Sequence, residues 1–193
     1  MLRQKALTLV ELMIALLITA VVIAAVLGVY SAVVKHGRAT VEQGHLENEL
    51  QRVVRTLARD VRRAGYWSGA ATSATNPYMQ AGTDITVNGS NDCILLTYDH
   101  NDDGTLPAVS SGTDDERYGF RLSGGAIQFR QNSAAFDCAA AANAWTNLTN
   151  PNIITVTTFS VTLNEDAVSS MIVRSVAVSI TGQLVSDNSI TKT

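Results

Sequence analysis

The sequence predicts an α+β protein, with one long N-terminal helix, apolar throughout its first half, packed on an antiparallel β-sheet head. No proline interrupts Leu7 through Tyr66, so the helical backbone has no missing donor over that stretch. In the second half of it, apolar residues recur at Leu46, Leu50, Val53, Val54, Leu57, Val61 and Ala64, the spacing of one helix face. Beyond Tyr66 the chain changes to short alternating runs separated by small and polar clusters, the pattern of strands and turns.

The first half of the helix is apolar on every side. From Leu12 to Val34 there are about 23 uncharged residues, among which only Thr19, Tyr30 and Ser31 carry a polar group. At 1.5 Å per residue this run spans roughly 34 Å, enough to cross a hydrocarbon core. It is too long for a secretory signal peptide, whose apolar region runs about 7–15 residues before a small-residue cleavage site. A transmembrane anchor fits better: Arg3 and Lys5 would hold the N-terminus in the cytoplasm, a bias weakened by Lys35 and Arg38 on the far side. One residue is out of place. Glu11 lies at the front of the run, where a carboxylate costs about 2.5–3.5 kcal/mol to insert. The helix is expected to cover roughly 58 residues and to stop at Gly65, with Gly28, Gly37 and Gly44 as weak points.

Strands are expected at Asp84–Val87, Cys93–Tyr98, Tyr118–Leu122, Ala126–Arg130, Ile153–Leu163 and Met171–Thr181. RLSGGAIQFR reads as a hairpin around a glycine pair, and the last two strands form a longer one. SAAFDCAAAANAWTNLTNPN between the hairpins reads as irregular. Charge is segregated along the chain. Basic residues outnumber acids between Lys35 and Arg63, whereas beyond Tyr66 twelve acids face five cations. Such a head has no general electrostatic attraction for nucleic acid. The only two cysteines, Cys93 and Cys138, lie in the head. In an exported domain a structural disulfide is their natural use, and closing that loop would contribute roughly 3–4 kcal/mol. Two buried free thiols are the alternative.

The stretch YDHNDDGTLPAVSSGTDDE is the one ligand-like motif. Asp99, Asn101 and Asp103, followed by Gly104, match the first half of a calcium loop. Oxygen ligands on alternate residues converge on one hard cation as the backbone turns, and the backbone carbonyl of Thr105 would come next. The twelfth position, ordinarily a bidentate glutamate, is Ser110, although Asp114, Asp115 or Glu116 could return to the site. The other reading is a solvated acidic turn, since Asp and Asn favour turns. Calcium is thus the one cofactor the sequence suggests, and none is required. His36, His45 and His100 form no catalytic pattern, and no nucleophile elbow, phosphate-cradling loop or cysteine–histidine set is present. Enzymatic activity is not expected. Trp67 and Trp145 read as core packing, and the helix arginines as a stripe facing neighbouring subunits.

The N-terminal K-A-L-T-L-V-E-L resembles the processing site of type IV prepilins: a basic leader, a small residue, an apolar residue, and glutamate five residues into the mature chain. Alanine and leucine stand where glycine and phenylalanine are the norm. LARDVRRAGYW, CILLTYDHNDDG, DERYGFRL, GGAIQ and WTNLT…IITVTTFSVT extend the resemblance to the PilW-type minor pilins of type IV pili, which are related to the J-type minor pseudopilins of type II secretion. The resemblance implies a type IV pilin-like fold divided as leader 1–6, membrane or filament-core helix 7–34, amphipathic helix 35–65 and periplasmic head 66–193. It implies cleavage between Ala6 and Leu7 by prepilin peptidase, N-methylation of Leu7, and extraction from the inner membrane by an assembly platform with a cytoplasmic ATPase. The expected function is that of a minor pilin in a tip or priming complex that starts pilus assembly, with other minor pilins, the major pilin and, before assembly, membrane lipid as partners. Glu11 would then pair with the Leu7 amine of the next subunit, an attraction near 4 kcal/mol at about 4 Å and an effective dielectric of 20. A type II secretion pseudopilin and, more distantly, a membrane-anchored binding module are the alternatives.

Overall fold

A computed structural model describes residues 8–71, 75–80, 84–108, 116–130, 136–140, 145–168 and 171–193. Helix α1 runs from Leu9 to Arg63, 55 residues without a break at Gly28, Gly37 or Gly44. It ends at Gly65, whose φ of 74° is the left-handed turn glycine makes without steric cost. A short 3-10 turn, Ser68–Ala71, follows. Among the described residues eight strands follow: β1 (Ile85–Val87), β2 (Cys93–Thr97), β3 (Arg117–Ser123), β4 (Ala126–Arg130), β5 (Trp145–Asn147), β6 (Ile154–Val168), β7 (Met171–Leu184) and β8 (Thr191–Lys192).

The strands form two antiparallel sheets, not the single one expected. β1 to β5 pair in sequence order in one, and β6, β7 and β8 in the other. The β3–β4 hairpin turns on Gly124 and Gly125, with φ of 58° and 73°, the pair of positive values that a tight two-residue hairpin needs. β5 and β8 escape sequence reading because they are too short to alternate. Pairing across β4 and β7 holds them in place. β6 and β7 also run further than expected. Beyond the core, Glu165 stands opposite Arg174 in the register, and their side chains form an ion pair at 3.0 Å that carries the ladder through a polar stretch.

The chain divides into two compact units, residues 1–44 and His45–Thr193. In the first, α1 leaves its large apolar side chains exposed: Leu9 is 77% exposed, Val21 67% and Leu27 60%. This helix is long and apolar enough to cross a membrane by length and composition. In the second unit, Leu46, Leu50, Val53 and Leu57 of α1 share one core with Ile94, Leu96, Phe120 and Ile127 of the five-stranded sheet. Ile154, Val156, Phe159, Val161, Ile180 and Leu184 of the other sheet complete it. Val54, expected on this face, is less well covered, at 37% exposed. The packing stripe steps through 46, 50, 53 and 57, and the next place on it is taken by Asp60, which is buried.

Candidate functional site

Two places in the chain carry unusual polar chemistry. At the start of α1, Thr8 occupies the position before the first helical residue. Its Oγ1 accepts the Glu11 amide at 3.3 Å. Glu11 Oε2 in return accepts the Thr8 amide at 3.0 Å and the Thr8 hydroxyl at 2.9 Å. This is a capping box: the two residues satisfy donors that the first helical turn would leave bare. T-x-x-E ahead of an apolar run, at Thr8 and Glu11, is its sequence signal. Ala6 and Leu7, the expected processing pair, lie outside the described residues, as does the rest of the leader.

The second place is the acidic loop between β2 and β3. Gly104, with φ of 73°, and Asp102, with φ of 63°, turn the backbone back on itself. Asp99 is drawn inward. Its Oδ2 accepts the Ser68 hydroxyl at 2.6 Å, the Ser68 amide at 3.0 Å and the Gly104 amide at 3.0 Å. Burial works to raise the Asp99 carboxyl, but these bonds outweigh it and hold it below the usual range. Asn101 Oδ1 accepts the Asp103 amide at 3.0 Å, while Asn101 Nδ2 donates to Asp103 Oδ2 at 2.9 Å. The Thr105 amide donates to Asp103 Oδ1 at 2.7 Å.

Glu116, at the entry to β3, is buried beneath this loop. Its Oε1 accepts the His100 amide at 2.6 Å and the Asn101 amide at 3.3 Å, and its Oε2 accepts the Tyr78 hydroxyl. Burial, followed by the Glu116 carboxylate, pushes the Tyr78 phenol far up, so it remains a donor. Asp99, Asp103 and Glu116 each bring a carboxylate oxygen within 4.8 Å of the others. Of the downstream acids, Glu116 is the one among the described residues, and it lies with Asp99 and Asp103. Ser110, Asp114 and Asp115 lie outside the described residues. Tyr78 and Ser68 left no sequence signal, since nothing in their spacing points to a loop more than thirty residues away. Trp67 ties the same loop to the end of α1 by donating to the Gly104 carbonyl at 2.9 Å, and His100 is exposed.

On the far side of the five-stranded sheet, Cys93 and Cys138 are joined in a disulfide that packs with Leu95 and Trp145 as a small satellite core. Arg121 lies over the Trp145 ring at 4.4 Å and donates to the carbonyls of Cys138 and Ala140 at 2.8 and 2.9 Å. Some of the helix arginines also make contacts within the chain. Arg52 bonds Glu49 and the Leu148 carbonyl, each at 2.6 Å, and Arg63 lies 5.8 Å from the Tyr98 ring centre.

A capped helix whose apolar first half is exposed among the described residues, continued into an amphipathic half that packs on antiparallel sheets, defines a type IV pilin-like protein. The prokaryotic N-terminal methylation motif matches residues 1–27. The chain belongs to the prepilin peptidase-dependent protein B family, whose model matches residues 39–193. It is 24% identical over 159 residues to prepilin peptidase-dependent protein B of Escherichia coli (strain K12), covering 82% of this chain and 78% of that protein. No solved structure matches.

Proposed function

We propose that the chain is a minor pilin built into a type IV pilus, in the small complex that primes assembly and stays at the tip. The observation that carries this reading is the apolar half of α1, whose large side chains are exposed among the described residues, in a chain whose head closes its own core. In water such a surface is excluded, so it requires lipid or other helices. Lipid houses it in the inner membrane, with the head in the periplasm, and a bundle of like helices houses it in the filament. The methylation motif supports removal of Met1–Ala6 by prepilin peptidase and methylation of the new Leu7 amine. Cleavage there leaves the Thr8 amide in place, so the capping box survives and keeps Glu11 oriented at the helix start. The Leu7 amine of a neighbouring subunit then supplies the counter-charge that lipid lacks.

Two measurements test this reading together. Intact mass of the protein from cells should show a chain beginning at Leu7 and carrying one methyl group. Glu11→Ala should be processed normally yet be lost from the sheared pilus fraction. Retention of Met1, or undiminished recovery of the Glu11→Ala chain in pili, overturns the proposal.

A further inference from the structure

From the acidic loop we infer that the head binds one calcium ion between Asp99, Asp103 and Glu116, with Asn101 and the Thr105 carbonyl as further oxygen ligands from the same loop. Three carboxylate oxygens mutually within 4.8 Å have a common centre no more than about 2.8 Å from each, a few tenths of an ångström outside the 2.3–2.6 Å at which calcium is held. A small inward movement completes that set, whereas magnesium demands a tighter and more regular shell. The donors are all oxygen, with no histidine or cysteine among them, which selects a hard cation over zinc or copper.

A group of acids alone would not justify a site. The second observation is the state of Asp99. It is only 3% exposed, and while Oδ2 accepts three hydrogen bonds, Oδ1 is buried with no hydrogen-bond donor among the described residues. Buried carboxylate oxygens are almost always partnered. Among the described residues no lysine or arginine forms an ion pair with Asp99, Asp103 or Glu116. Among the described residues, then, three carboxylates in mutual reach, two of them buried, have no ion-paired cation to offset the cost of their burial. A divalent cation supplies the positive charge and the missing partner together.

Bound there, the ion would clamp the loop onto the entry of β3 through Glu116. It would also clamp the end of α1, through the bonds of Asp99 to Ser68 and of Gly104 to Trp67. The inference does not depend on the filament role, and its failure would leave that reading untouched.

The test uses the full-length chain in detergent micelles after chelator treatment. Calcium titration by calorimetry should show one ion per chain, with a dissociation constant of roughly 10⁻⁴–10⁻³ M, as in extracellular calcium modules. Terbium should bind at the same place and be sensitised by Trp67, with calcium displacing it. Calcium should raise the unfolding temperature by several degrees, and magnesium by less. Asp103→Ala should weaken calcium binding by about tenfold or more, and calcium should raise its unfolding temperature less, measured against the same variant in chelator. Asp99→Asn should abolish binding, and if that variant does not fold, Asp103→Ala still decides. Absence of both calcium heat and terbium emission up to millimolar ion overturns the inference. So does an Asp103→Ala chain that binds as the parent does.

Discussion

Asp60 stands where the helix stripe calls for an apolar side chain. Burial raises its carboxyl above the ordinary 3.8, with Arg59, Arg63 and the Tyr98 hydroxyl offsetting only part of that effect. A carboxyl whose folded-state value is raised holds its proton longer in the folded chain than in the unfolded one. Its contribution to stability is fully present below 3.8 and is lost as pH climbs through the raised value. Asp60→Asn has nothing to ionise, so its stability relative to the parent should improve steadily as pH rises across that window. Urea denaturation at a series of pH values checks this, and parallel curves for the two chains would refute it. Asp92 has the opposite sign: bonds from Asn88 and Ser90, at 2.6 and 2.7 Å, hold its carboxyl low. Asp92→Asn should therefore cost stability above the usual carboxyl range and nothing below it. At the helix start, Thr8→Ala removes the cap and should cost about 1 kcal/mol of local helix stability. Faster amide exchange confined to the first turn of α1 is the expected signature.

Among the elements, β5 and the Cys93–Cys138 bridge secure the same side of the five-stranded sheet. The bridge closes a loop with a sequence separation of 45. Replacing both cysteines by serine should lower the unfolding free energy by roughly 3–4 kcal/mol, most of it through the unfolded chain. Denaturant titration of the parent with and without reductant should reproduce that difference. Among the described residues an ion pair links the two sheets in addition to the core. Arg174 of β7 reaches across to Asp84, just ahead of β1, and also holds Glu165 on β6. Arg174→Leu leaves the buried Asp84 carboxylate without its counter-charge and should cost at least about 2 kcal/mol. Glu165, half-exposed, should matter far less on its own.

At the scale of the molecule, the two halves of α1 obey different rules. Leu50 is buried among residues of both sheets, so Leu50→Ala should destabilise the head by about 2–5 kcal/mol. Leu16 is 61% exposed. Leu16→Ala should leave the head's denaturation midpoint unchanged and act only where the helix meets lipid or other subunits. Both tryptophans lie in the second unit, so their fluorescence reports that contrast directly.

The sequence by itself determined the long helix, its apolar and amphipathic halves, the glycine-turned hairpin and the prepilin-type N-terminus. Each is written in neighbouring residues, by periodicity or by a turn that only glycine makes easily. Only the tertiary structure decided the split into two sheets, the burial of Asp60 on a helix face otherwise apolar, and the Arg174–Asp84 link. It also placed Glu116, buried, beneath the loop. Those features depend on which distant segments come into contact, and pairing between remote residues leaves no local period in a single chain.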